Sequence, residues 1–246
     1  MSRIKFLNIN VDNVTMLEAI KKIEYVVRKN ANSYIVTPNL DHIIIVEKDE
    51  YFKEIYKNAN LILTDGQPLI WISKLLGNPI VEKVSGSDLF PEICKMASNN
   101  NFSIFILGAA EGVATKAAEN LKLKYDKLNI VGTYSPTYGF ENKKEEIDNI
   151  IHCINVSKPD ILAVSLGSPK GEKFIYKYRN QLSVPLSMSI GATIDFEAGN
   201  IKRAPRWISK CGFEWLYRTL KEPKRLAKRY WNDAWEIIPI ILKYRK

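Results

Sequence analysis

The chain has 246 residues, 46% of them hydrophobic. That suits one α/β domain with a tail and excludes wholesale disorder. The net charge of +9 is unevenly placed: residues 1–201 hold 23 basic and 23 acidic side chains, residues 202–246 thirteen basic and four acidic. Cys94, Cys153 and Cys211 form no CxxC pair, so they read as reduced thiols and not as a disulfide framework. The N-terminus lacks the apolar block of a signal peptide, and no apolar run nears the roughly 20 residues of a spanning helix. The expected location is cytoplasmic, soluble or peripheral to a membrane.

In chain order, strands are predicted at Lys5–Ile9, Ser33–Thr37, Leu61–Thr64, Ser103–Leu107, Asn129–Thr133, Ile161–Ser165 and Pro185–Ile190. Helical periodicity marks Met16–Lys29, Leu40–Lys48, Pro68–Leu76, Asp88–Asn99, Val113–Tyr125, Lys144–Val156 and Lys170–Arg179. This alternation predicts an α/β fold, a largely parallel sheet with helices on both faces in a Rossmann-like variant. Residues 1–201 are read as this core. Residues 202–246 are read as a basic helical appendage, with a break near Pro223 and four of the five tryptophans: Trp207, Trp215, Trp231 and Trp235.

In such sheets ligands bind beyond the carboxyl ends of the strands, which directs attention to the turns. Gly108–Gly112 (GAAEG) opens a helix and could face a phosphate with free N–H groups, although a tight turn between strand and helix is the better explanation. It is not the GxGxxG fingerprint, which weakens the reading as an NAD(P)-binding oxidoreductase. Ser165–Phe174 (SLGSPKGEKF) has ordinary capping geometry at Pro169. Thr37–Asp41 (TPNLD) and Leu61–Gln67 (LILTDGQ) end strands with polar groups. Asp65 is either a turn former or a general base that activates a sugar hydroxyl. Two histidines, His42 and His152, and the absence of a DxD pair supply little for a metal, so neither metal nor cofactor is expected. A diphosphate would have to be neutralised by cations such as Lys83, Lys170, Arg203 and the tail arginines.

Gly191–Tyr230, with TPNLDH, TDGQPLIW, EKVSGSDLF, LGAAEGVATKAAENL and SLGSPKGEKF in the same order, resembles the WecG/TagA/CpsF family, glycosyltransferase family 26. The likeness covers nearly the whole chain and is closest to the teichoic-acid branch. It implies inverting transfer of N-acetylmannosamine from its UDP-sugar to undecaprenyl-diphosphate-linked N-acetylglucosamine, forming a β1,4 linkage without a metal. It further implies that Asp65 is the base and that Thr37 and Asn39 line the donor-sugar pocket. Lys83 and Gly108 join the substrate-binding set, Asp195 contacts the nucleotide, and Arg218, Arg225 and Lys228 bind diphosphate. Two positions depart from the family pattern: Gly171 replaces the glutamine of PKQE, and Lys83 replaces an arginine, keeping the charge but losing the bidentate fork. The uronate sugar UDP-ManNAcA is the alternative donor.

The tail fits three partners. Nucleic acid suits the charge, but no recognised binding motif accompanies it. An anionic membrane surface suits both the charge and the aromatic residues, and is the expected partner. Self-association through Ile237–Leu242 leaves a homo-oligomer open.

Overall fold

The computed structural model describes residues 3–205, 208 and 213–245, and the side chains of Arg218, Lys224 and Arg225 are outside it. Trp207 and Cys211 likewise lie outside the described residues. The chain is built as two compact units: one of residues 1–16, 37–85 and 203–246, the other of 17–36 and 86–202. The charge boundary near residue 202 falls where the chain returns from the second unit to the first.

The second unit carries the parallel sheet. Five strands, β3 (Ser33–Val36), β5 (Ser103–Gly108), β6 (Asn129–Tyr134), β7 (Ile161–Ser165) and β8 (Leu186–Ser189), run in the order β3-β8-β7-β5-β6. Their registers are parallel throughout, for example Ile104↔Ile161 and Ala163↔Met188. Every residue of β5 and β7 is buried, as expected of parallel strands covered on both faces. The helices of this unit are α1 (Met16–Lys29), α5 (Gly86–Asn100), α6 (Val113–Lys124), α7 (Lys144–Ser157), α8 (Lys170–Tyr178) and the short α9 (Thr193–Glu197). The predicted α/β alternation is therefore present, with most boundaries within two residues.

The first unit begins differently from the prediction. In place of one strand, β1 (Arg3–Phe6) and β2 (Ile9–Asp12) form an antiparallel hairpin with Phe6 opposite Ile9. Its turn places Leu7 at φ 51°, a conformation that leucine seldom adopts and that no glycine flags in the sequence. Asp12 Oδ2 accepts from Arg3 at 2.9 Å and from the Ile62 amide at 3.0 Å, tying the hairpin to the two-residue strand β4 (Leu61–Ile62). Helices α2 (Leu40–Lys48) and α3 (Glu50–Asn58) meet at Asp49, whose carboxylate caps α3 by accepting from Phe52 N at 3.0 Å. Helix α4 (Gln67–Leu75) follows.

The unit is completed by α10 (Glu214–Lys221) and the 22-residue α11 (Pro223–Tyr244). Leu226, Asp233, Ile237 and Ile240 recur at helical spacing and are buried. Helix α11 packs along α2, which itself buries Ile43, Ile44 and Val46. Its last turns are pinned by Lys243 to Glu47 at 2.5 Å and by an ion pair between Lys48 and Glu236.

Candidate active site

In the first unit, main-chain hydrogen bonds gather three sequence-distant turns. The Asp65 amide donates to Pro38 O at 2.8 Å, and the Val84 amide donates to Thr64 O at 2.9 Å. Thr37–Asn39, Thr64–Gly66 and Lys83–Val84 thus form one polar rim. Asn39 caps α2, its Oδ1 accepting from His42 N at 3.3 Å. Gly66, at φ 107°, lies so close that a Cβ there would stand 4.0 Å from the Asn39 Cβ. Positive φ explains the glycine, and it leaves the neighbouring Asp65 half-buried at the mouth of the turn. Thr37 is buried.

Two residues of this rim carried no role in the sequence reading. The buried Thr64 Oγ1 has no hydrogen-bond partner among the described residues, and it sits beside Asp65 in the chain. Glu214, at the start of α10, lies 3.9 Å from Lys83 Nζ, both side chains being largely covered. Lys83 therefore has a carboxylate of the C-terminal segment beside it. Only the 131-residue separation hid that pair.

One tail cation lies against the start of α2. Arg229 of α11 lies 3.6 Å from Asp41, two residues beyond the Asn39 cap, and 3.8 Å from Asp233. Beneath them His42 is buried, with Nδ1 2.9 Å from the Tyr56 hydroxyl. Burial, reinforced by the Arg229 charge, drives its pKa down to about 3, so the ring is neutral at pH 7. Burial and then the nearby Asp41 push Asp233 up to about 6. Glu47 is opposed by burial, but hydrogen bonds from Lys243 and Asn8 outweigh it and hold the carboxyl below its usual range. Lys228 is exposed on α11 and lines the cleft between α2 and α11. The side chains of Arg218 and Arg225 lie outside the described residues.

In the second unit, strand order defines a crevice. The connection from β5 leads outward to β6 on one side, and that from β7 leads to β8 on the other. The carboxyl ends of β5 and β7 therefore flank the switch point at which α/β sheets take ligands. There Gly108, at φ 111°, approaches the neighbouring strand so closely that a Cβ would lie 2.3 Å from Ser165 O. The Ala109 amide donates to that same oxygen at 2.9 Å. Glycine is obligatory for this approach, and Gly112 at the N-cap of α6 leaves the helix end without a side-chain cap. Asp195 lies in the first turn of α9, beyond β8; its side chain is half-buried and its carbonyl accepts from Asn200 and Ile201. Gly171, where the family pattern has glutamine, packs so tightly that a Cβ would meet Ser189 Oγ at 2.9 Å.

Among the described residues no cluster of three or more histidine, cysteine, aspartate or glutamate side chains is placed to hold a metal. Nor is any described helix long and apolar enough to cross a membrane.

The comparisons place this α/β chain among glycosyltransferases. Residues 4–246 match the family model described as "Glycosyl transferase WecG/TagA/CpsF family". A protein of Bacillus spizizenii (strain ATCC 23059 / NRRL B-14472 / W23), named N-acetylglucosaminyldiphosphoundecaprenol N-acetyl-beta-D-mannosaminyltransferase, is 32% identical over 80% of this chain and 74% of its own length. Proteins of the same name from Staphylococcus aureus strains MW2 and NCTC 8325 / PS 47 are 28% identical over 92% of this chain and 88% of theirs. The chain belongs to the WecG/TagA/CpsF family of glycosyltransferases.

Proposed function

We propose that the chain transfers N-acetylmannosamine from its UDP-sugar to undecaprenyl-diphosphate-linked N-acetylglucosamine, with inversion and a β1,4 linkage, in assembly of a teichoic-acid linkage unit or related wall polymer. The observation that carries this reading is the rim around Asp65, built from the turns at Pro38 and Thr64, in a chain whose relatives bear that activity in their names. Asp65 takes the proton from the acceptor hydroxyl as that oxygen bonds to the anomeric carbon. The bond from that carbon to the diphosphate oxygen breaks, and UDP leaves with the electron pair. Thr37 and Asn39 orient the sugar, and Gly108 and Asp195 are assigned to the donor nucleotide. Lys83, with Arg218, Arg225 and Lys228, supplies charge for diphosphate groups.

The acceptor's lipid requires a bilayer, and α11 offers a fitting surface. Trp231, Trp235, Ile238 and Leu242 form a stripe at spacings of four, three and four, with Trp231 67% and Trp235 61% exposed. Aromatic rings favour the headgroup region, and neighbouring cations add about 1 kcal/mol each on anionic lipid. The chain then works at the inner face of the cell membrane as a peripheral protein.

The test is UDP release with a lipid-linked N-acetylglucosamine acceptor and a panel of UDP-sugars including the uronate. Asp65→Asn is expected to cut turnover by about 10²–10⁴-fold while UDP-sugar affinity stays within about tenfold. Normal turnover in that variant would remove the base assignment, and failure of every UDP-N-acetylhexosamine would remove the donor class.

A further inference from the structure

Beside the polar rim, five large apolar side chains of the first unit lie open to solvent: Trp71 and Leu75 on α4, Phe213 just ahead of α10, and Leu216 and Leu220 on it. With Leu75 71% and Leu220 74% exposed, the fold covers little of them. Trp71 and Leu75 are four residues apart and share one side of α4. On α10, at 3.6 residues per turn, Phe213, Leu216 and Leu220 fall within an arc of about 60°, and Trp215 lies about 100° or more from each of them. Trp215 packs edge-on against Tyr230 of α11, with ring centroids 5.9 Å apart, so α10 gives that side to the fold and leaves the other bare. The Trp71 and Phe213 rings meet edge to face at 6.4 Å, which joins the two stripes into one face. A contiguous apolar surface of this kind marks a ligand, a membrane or a partner.

The face starts at the rim. Helix α4 begins directly after Gly66, and Trp71 and Leu75 stand about 6 Å and about 12 Å along its axis from Gln67. Glu214, next to Phe213 in the chain, is 3.9 Å from Lys83, and the Val84 amide donates to Thr64 O beside Asp65. Contacts therefore run in the order Asp65, Lys83, Phe213 and Trp71. The acceptor of the reaction proposed above is built in the matching order: a sugar hydroxyl, a diphosphate and a polyisoprenoid chain. With its hydroxyl at Asp65 and its diphosphate at Lys83, its lipid emerges where the aromatic pair stands. The bilayer has a separate surface in Trp231, Trp235, Ile238 and Leu242 of α11.

We infer that the α4–α10 face holds the first isoprene units of the acceptor's lipid, so that the chain selects its acceptor by the lipid as well as by the sugar. Trp71 and Phe213 take the unit next to the diphosphate, and Leu75, Leu216 and Leu220 take those beyond it. Binding energy gained far from the reacting carbon is then available to position the sugar. The inference rests on the acceptor reading given above, and the experiment separates the two.

Transfer is measured without vesicles or detergent on two water-soluble acceptors, N-acetylglucosamine diphosphate esterified with methyl or with a two-isoprene chain. The unaltered chain should use the two-isoprene acceptor with kcat/KM about tenfold above the methyl one, since its ten carbons partly leave water. Trp71→Ala with Leu216→Ala, both at exposed positions, should bring that ratio close to one, whereas Trp231→Ala with Trp235→Ala should keep it. Equal use of both acceptors by the unaltered chain overturns the lipid face, as does a ratio untouched by the Trp71 and Leu216 substitutions. The face then belongs to the bilayer or to a second copy, which vesicle sedimentation and sedimentation velocity of that variant tell apart. If neither ester takes the sugar, the undecaprenyl acceptor in vesicles decides the acceptor reading and a photolabel decides the face. A two-isoprene diphosphate with a diazirine at its far end should mark residues of α4 or α10; labelling elsewhere, or none, overturns the inference.

Discussion

The sheet of the second unit and the α2–α11 seam of the first are held by opposite means. Strands β5 and β7 bury every residue, and their side chains are apolar apart from Ser103 and Ser165. The seam buries Ile237 and Ile240 too, but it also holds Asp41, His42, Arg229 and Asp233 in one connected group. The sheet should thus respond mainly to lost volume, and the seam to lost charge and to pH. Mutations that obey this division sharpen the contrast, and any that cross it break it.

The largest effect is expected in the sheet. Leu162, fully buried in the middle of β7, has no room to be replaced by water, and Leu162→Ala should cost about 2–5 kcal/mol in urea unfolding. That loss should be the same at pH 5 and pH 8, since none of the removed atoms titrates.

A smaller loss is expected from Arg229→Gln. The substitution leaves Asp41 and Asp233 facing each other without the cation that now attracts both, at a cost of about 1–3 kcal/mol. Partial exposure of the arginine keeps this below the cost of breaking a fully buried pair. Hydrogen exchange should speed up in α11 and α2, with the amides of β5 and β7 unchanged. Equal acceleration in both regions would show that the contrast is false.

The same division explains what could be read from the chain. Strand β7 was legible to the residue because an apolar run of four, Ile161–Val164, closed by Ser165 between turn signals has few other uses. The Asp65 turn was visible as an Asp-Gly after a strand, and family resemblance gave it a role. What remained hidden was pairwise and remote: Lys83 with Glu214, Asp41 with Arg229, and Lys48 with Glu236. A charged residue on a helix looks the same in sequence whether it faces water or a partner nearly 190 positions away. The β1–β2 hairpin was missed for a local reason, since Leu7 carries a conformation that ordinarily calls for glycine or asparagine.

The finest test of the contrast is the pH profile of stability, because two groups in the seam pull in opposite directions. His42 titrates near 6.5 when unfolded and near 3 when folded, so its contribution is complete above pH 6.5 and is lost as pH falls from there toward 3. Asp233 ionises near 3.8 when unfolded but near 6 when folded, so the folded chain gains stability as pH falls from 6 toward 3.8. The titratable and charged groups that face them are Asp41, Lys48 and Glu47 on α2, Tyr56 on α3, and Lys228, Arg229, Glu236 and Lys243 on α11. Of these, Glu47 adds to the loss at the acid end, since its folded pKa is depressed. The unaltered chain should therefore change little between pH 6 and pH 5. Asp233→Asn should expose a plain loss of stability over that interval, and His42→Gln should convert it into a gain. If both variants kept the flat profile of the parent in urea melts, the seam would not be the titrating part of the molecule.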